Sequence, residues 1–136
     1  MLRLEVPLEL AGLESAQDEV EAYLRARGAS ASALYKVRLV LDELVANLMS
    51  HARFPGAPQP LRLEVEAGAE GILLAVEDAA APFDPRTAPA PEGPPSLDDD
   101  RVGGLGLALV RRMVEIRDYR PVTGGWNRTE LVIPPG

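Results

Sequence analysis

Leu41-Asp-Glu-Leu-Val-Ala-Asn-Leu-Met-Ser-His-Ala52 is the stretch on which the reading of the fold turns. It has the pattern of the second half of a helix. Glu43 and Asn47 are four residues apart and stack on one face about a turn from each other, and His51 continues the row. Leu34, Val37, Leu41, Leu44, Val45 and Leu48 form a different stripe, which is the expected core face. At about 100° per residue, Glu43 stands roughly 160° around the helix from Leu41. One side is anchored in the core while another offers a carboxylate and an amide. Taken alone, that second side is equally a solvated Glu/Asn face.

Working upstream, Leu2-Arg-Leu-Glu-Val6 alternates as a half-buried strand that Pro7 ends. Leu13 to Arg27 carries apolar residues at helical spacing, and Gly28 is a natural stop. Ser30 or Ser32 can cap the helix that runs to about Ala52. Downstream, residues 54–60 form a Pro/Gly loop. Leu61 to Ala67 alternates with Leu61, Leu63 and Val65 inward. Gly68 to Gly71 fits a hairpin turn, and Ile72 to Val76 is a continuous apolar strand suited to a central place in a sheet. Regular structure then stops at Glu77-Asp78. Residues 82–101 hold six prolines and Asp98-Asp-Asp100; a loop this long in a small domain is a lid or is disordered. Val102-Gly-Gly-Leu-Gly opens into an apolar-periodic helix expected to reach Ile116. Tyr119 to Thr123 and Arg128 to Ile133 read as strands joined at Gly124-Gly-Trp-Asn127. The order β-α-α-β-β-(lid)-α-β-β predicts an α+β sandwich, a single domain over residues 1–136, with one mixed sheet and the helices on one face.

Composition narrows the function. The chain has 136 residues, 46% hydrophobic and 26% charged, with a net charge of −7. These are the proportions of a globular chain, and the acidic balance with no basic cluster beyond Arg111-Arg112 argues against nucleic-acid binding. No cysteine and one histidine exclude thiolate chemistry and make a His-based metal site unpromising. The start of the chain has no signal-peptide pattern and no apolar run spans a membrane, so a cytoplasmic location without membrane contact is expected.

Three local features point to chemistry. Gly103-Gly-Leu-Gly106 at a helix start can hold phosphate, since helix N-termini offer unpaired amides and glycine admits close approach. It is neither a Walker loop nor a dinucleotide fingerprint, because no Lys-Ser/Thr follows and no strand precedes. Asp78 ends an apolar strand; it is either a turn former or a ligand group. Glu43 and Asn47 complete a parts list for a magnesium-nucleotide site. Asp78 would take an exocyclic amine, Asn47 the metal, the glycine turn the phosphates and Glu43 a hydroxyl proton. One protein ligand suffices for Mg²⁺, which keeps water and phosphate in its shell.

In order and spacing, Glu43-x-x-x-Asn47-x-x-x-His51, Asp78-x-Ala-x-Pro-Phe-Asp84 and Gly103-Gly-Leu-Gly-Leu107 resemble the N, D and G boxes of the GHKL ATPase superfamily. The length and the ending Gly-Gly-Trp-Asn-Arg-Thr-Glu-Leu look closer to the stand-alone anti-sigma factor serine/threonine-protein kinases of that superfamily. The resemblance runs from about Leu2 to Ile133. It implies a two-layer α/β sandwich of the histidine-kinase/Hsp90 ATP-binding (Bergerat) type with a mixed, mostly antiparallel sheet. It also implies ATP and Mg²⁺ as cofactors, and phosphorylation of an anti-sigma factor antagonist by a protein that sequesters a sigma factor or similar regulator and can homodimerise. By position, Glu43 is then the general base and Asn47 the Mg²⁺ ligand. Asp78 binds the adenine amine. Ala80, Gly103, Gly104, Leu105, Gly106 and Thr129 lie against the nucleotide, under a lid of about residues 85–102. Arg101 is a candidate for γ-phosphate contact on charge and place. One departure stands out: the third position of the D box, usually glycine, is Ala80, whose methyl disfavours positive φ and is expected to weaken nucleotide binding. That feature supports the alternative, a non-catalytic protein-binding module.

Overall fold

In a computed structural model, residues 1–50, 56–81, 112 and 114–134 are described. Seven elements follow in the order β1 (Leu2–Val6), α1 (Leu10–Arg25), α2 (Ala31–Ser50), β2 (Leu61–Gly68), β3 (Gly71–Asp78), β4 (Glu115–Val122) and β5 (Trp126–Ile133). The strands form one sheet in the order β1-β2-β3-β5-β4. All four pairings are antiparallel, so the sheet expected to be mostly antiparallel is so throughout its described strands.

The alternation of side chains decides which face is covered. Leu61, Leu63 and Val65 of β2, Ile72, Leu74 and Val76 of β3, and Leu131 and Ile133 of β5 share one buried cluster with Leu13, Val20 and Leu24 of α1 and Val37, Val40, Leu41, Leu44 and Val45 of α2. Both helices therefore lie on the same face. The stripe read from α2 is the core stripe, with Leu34 and Leu48 half-buried at its margins. The start of α2 is capped as expected: Ala33 N–H donates to Ser30 Oγ at 3.1 Å and Leu34 N–H to Ser30 O at 3.0 Å. Gln17 of α1 ties the helices together. Its buried Nε2 donates to Arg38 O at 3.0 Å and to Asp42 Oδ1 at 2.8 Å.

The segment before β4 departs from the helix expected to reach Ile116. Arg112 is helical, Val114 lies in a bend, and the strand begins at Glu115. Ile116 fits either periodicity, and pairing with Leu131 of β5 draws it into the sheet. The register slips between Ile116 and Asp118, leaving Arg117 as the extra residue of a β-bulge. The bulge changes parity. Ile116 packs on the core, and Tyr119 still meets Thr129 on that same face. The remaining strands match expectation closely, with β5 starting two residues earlier than read, at Trp126.

Two turns need glycine. Gly124 and Gly125 between β4 and β5 have φ of 87° and 82°. Gly71 opens β3 with φ 127°, and a Cβ there would collide with Ile133 O.

The face of the sheet opposite α1 and α2 is charged. Arg128 is its hub, donating to Glu130 Oε1 at 2.9 Å, Glu64 Oε2 at 3.0 Å and Glu77 Oε2 at 3.3 Å. Each carboxylate has a second arginine: Arg3 by Glu64 at 3.6 Å, Arg62 by Glu77 at 3.9 Å and Arg120 by Glu130 at 3.1 Å.

Candidate active site

Asp78 is the last residue of β3 and pairs with Asn127 of β5, while Val76 pairs with Thr129. By alternation all four side chains belong to the helix-covered face, at the end of the sheet where the core stripe of β3 runs out. Thr129 is 5% exposed and Asn127 3%. The chain beyond Asp78 turns back on that carboxylate: Ala80 N–H donates to Asp78 Oδ1 at 3.1 Å. Asn127 Nδ2 donates to the same oxygen at 3.2 Å and to Ala80 O at 2.8 Å. Burial raises the Asp78 pKa above the usual aspartate range, and the bonds from Asn127 and Ala80 oppose that shift.

No described non-glycine residue has positive φ, so Ala80 carries no left-handed backbone and glycine would relieve no strain there. Its methyl is buried, and both its backbone groups are bonded into the turn.

Glu43 and Asn47 are half-buried on α2, a turn apart. Gln17 marks the side of α2 that faces α1, through Arg38 and Asp42. Glu43 lies about 100° around the helix from Asp42, on the border away from that contact. Helix α2 packs against β5, the strand that carries Asn127 and Thr129. Burial, then the neighbouring Asp42 charge, raises the Glu43 pKa above the usual glutamate range.

The structure thus brings Asp78 and Ala80 together with Asn127, places Thr129 two residues further along the same row of β5, and sets Glu43 and Asn47 a turn apart on α2. Among the described residues no hydrogen bond links the two groups. His51, Arg101, Gly103, Gly104, Leu105, Gly106 and the lid of residues 85–102 fall outside the described residues. Among the described residues no three His, Cys, Asp or Glu side chains cluster to cage a metal. The donor set fits a cation that arrives with phosphate and water and takes one amide oxygen from the protein. A shallow cavity of about 200 Å³, lined by Glu64, Leu73, Ala75, Arg128 and Val132, lies on the charged face, across the sheet from Asp78.

Asn127 is the site residue that the sequence reading missed, because it was placed in the turn. Extending the alternation of Thr129, Leu131 and Ile133 back by two positions would have put a polar side chain on the buried row and marked it.

An antiparallel sheet backed by helices on one face, with an acidic residue closing a central strand, is the architecture of a kinase-like ATPase. Residues 6–133 match the histidine kinase-like ATPase domain, and the chain belongs to that family. It is also 34% identical over 102 residues to the serine/threonine-protein kinase BtrW of Bordetella bronchiseptica, covering 75% of this chain and 71% of that protein. Membership in an ATPase family makes ATP the ligand class. Among the described residues no helix is long and apolar enough to cross a membrane.

Proposed function

We propose that the chain is an ATP-dependent serine/threonine-protein kinase of the anti-sigma factor type. It transfers the γ-phosphoryl group of Mg²⁺-ATP to a hydroxyl of an anti-sigma factor antagonist in the cytoplasm, and holds a sigma factor or similar regulator. The observation that carries the reading is Glu43, half-buried with a raised pKa and one turn from the Asn47 amide. A base works best when its pKa approaches the working pH, and burial moves Glu43 that way. The name of the Bordetella relative supports serine/threonine transfer.

In this reading the hydroxyl oxygen of the acceptor bonds to the γ-phosphorus as the bond to the β–γ bridging oxygen breaks. ADP leaves with the electron pair, and the hydroxyl proton passes to the Glu43 carboxylate. Asn47 would hold Mg²⁺, which would supply charge neutralisation for the phosphates. Asp78 accepts the adenine amine, with Ala80 and Thr129 beside it. Gly103, Gly104, Leu105 and Gly106 receive the phosphates and Arg101 contacts the γ-phosphate, with residues 85–102 assigned as the lid.

The test is a thermal-shift titration with Mg²⁺-ATP on the wild type and Asn47→Ala. At about a hundred times its dissociation constant a ligand stabilises by roughly 2.7 kcal/mol. The expected result is a magnesium-dependent rise in Tm that Asn47→Ala abolishes. No rise at saturating ATP overturns the reading, and an undiminished rise in Asn47→Ala overturns the metal role.

A further inference from the structure

Asn127 does more than fill space. A Leu or Val at this buried position would extend the apolar row of β5, yet the residue is an amide with both hydrogens of Nδ2 committed to the turn after β3. The result is an asymmetric carboxylate. Asp78 Oδ1 receives Ala80 N–H and Asn127 Nδ2, whereas Oδ2 has no partner among the described residues. Among the described residues, one oxygen is held by two donors and the other by none.

We propose that Asn127 is the positioning residue for base recognition, holding Asp78 so that Oδ2 meets the 6-amino group of adenine and discriminates against 6-oxo purines. The inference rests on the ATP reading above. A carboxylate only accepts hydrogen bonds, so a 6-oxo group brings acceptor against acceptor. Leaving such a contact unmet costs far more than a weak bond contributes. Discrimination therefore requires the Asp78 carboxylate to stay ionised and aimed. Without Asn127 only Ala80 N–H holds Oδ1, so the carboxylate rotates and takes a proton more readily, and a protonated carboxyl can donate to a 6-oxo group. The charged neighbours in sequence, Glu77 and Arg128, belong to the opposite face of the sheet, where they pair with each other.

The experiment is calorimetric titration of Mg²⁺-ATP and Mg²⁺-ITP into the wild type and Asn127→Ala. The wild type should prefer ATP by at least about tenfold, and in the variant ATP should weaken by about that factor while ITP holds, so the ratio falls towards one. An unchanged ratio overturns the inference and leaves the ATP reading standing. A wild type that binds neither nucleotide overturns the ATP reading, and the inference with it. If Asn127→Ala fails to fold, the wild type still decides. The Asn127 side-chain amide resonances should shift as acidification protonates Asp78, and that transition should vanish in Asp78→Asn. Resonances that ignore Asp78 overturn the proposal.

Discussion

Replacing Arg128 with Met keeps the length of the side chain and removes the charge at the centre of the face opposite α1 and α2. The Arg128 side chain is 20% exposed and its guanidinium is bonded to Glu64, Glu77 and Glu130, whose side chains are 29%, 20% and 36% exposed. Fully exposed pairs contribute about 0.2–1 kcal/mol and charge-assisted hydrogen bonds out of water about 1.5–3 kcal/mol. This site lies between, so about 1 kcal/mol suits each of the bonds to Glu64 and Glu130, and less suits the longer one to Glu77. No carboxylate is orphaned, because Arg3, Arg62 and Arg120 remain. Subtracting the desolvation relieved with the guanidinium, the expected net loss is about 2 kcal/mol. An unfolding entropy of roughly 2.1 cal/mol/K per residue turns that into a fall in Tm of about 7 °C.

Differential scanning calorimetry at low salt and neutral pH measures it. The gap should shrink in about 1 M salt, where screening shortens to roughly 3 Å. It should also close in acid. The pKa of Glu130 is lowered, chiefly by its bond from Arg128. A carboxylate with a depressed folded-state pKa contributes stability above its unfolded value, and that contribution is lost as pH falls through the folded one. Equal melting temperatures at neutral pH and low salt, or a gap indifferent to salt and acid, would refute the reasoning.

Further outcomes test the site and the core. Glu43→Gln should retain Mg²⁺-ATP binding by calorimetry and lose transfer of radiolabelled phosphate by at least about a hundredfold, the low end of general-base contributions; retained transfer would remove Glu43 as base. Because burial raises the Asp78 pKa, ATP affinity should begin to fall at a higher pH than an ordinary aspartate would allow, and Asp78→Asn should flatten that limb of the profile. Ala80→Gly should lower stability by about 0.5–1 kcal/mol in denaturant titration, since glycine gains nothing where φ is not positive. Gly71→Ala should cost more than about 3 kcal/mol or prevent folding, as its Cβ would collide with the backbone carbonyl of Ile133.

Where periodicity and burial coincide, the architecture was legible from the residues. The spacing of Val37, Leu41, Leu44 and Val45 suits one helix face, and the alternation from Leu61 to Val65 suits one sheet face. The abrupt end of the apolar run at Val76 marked Asp78. Ile116 was misplaced because its spacing satisfies both a helix and a strand, and only pairing with Leu131 separates them. Asn127 was hidden for a related reason. Two glycines and a tryptophan precede it, which locally means a turn. Its role arises from a bond to a residue 49 positions away, and register across a sheet is a property of the folded chain. The ladder around Arg128 is likewise a set of cross-strand meetings.

The bulge at Arg117 also governs how the molecule meets others of its kind. Strand β4 is one margin of the described sheet, and an unpaired margin is a template on which further strands can grow into fibrils. An extra residue breaks the even spacing such growth needs, and Pro121 has no N–H to offer a newcomer. At the other margin β1 is only five residues long and ends before Pro7. Removing Arg117 would therefore do more than shorten a strand. It would restore strict alternation, with Ile116 and Tyr119 still on the core face, and leave a straight, regular border open to aggregation.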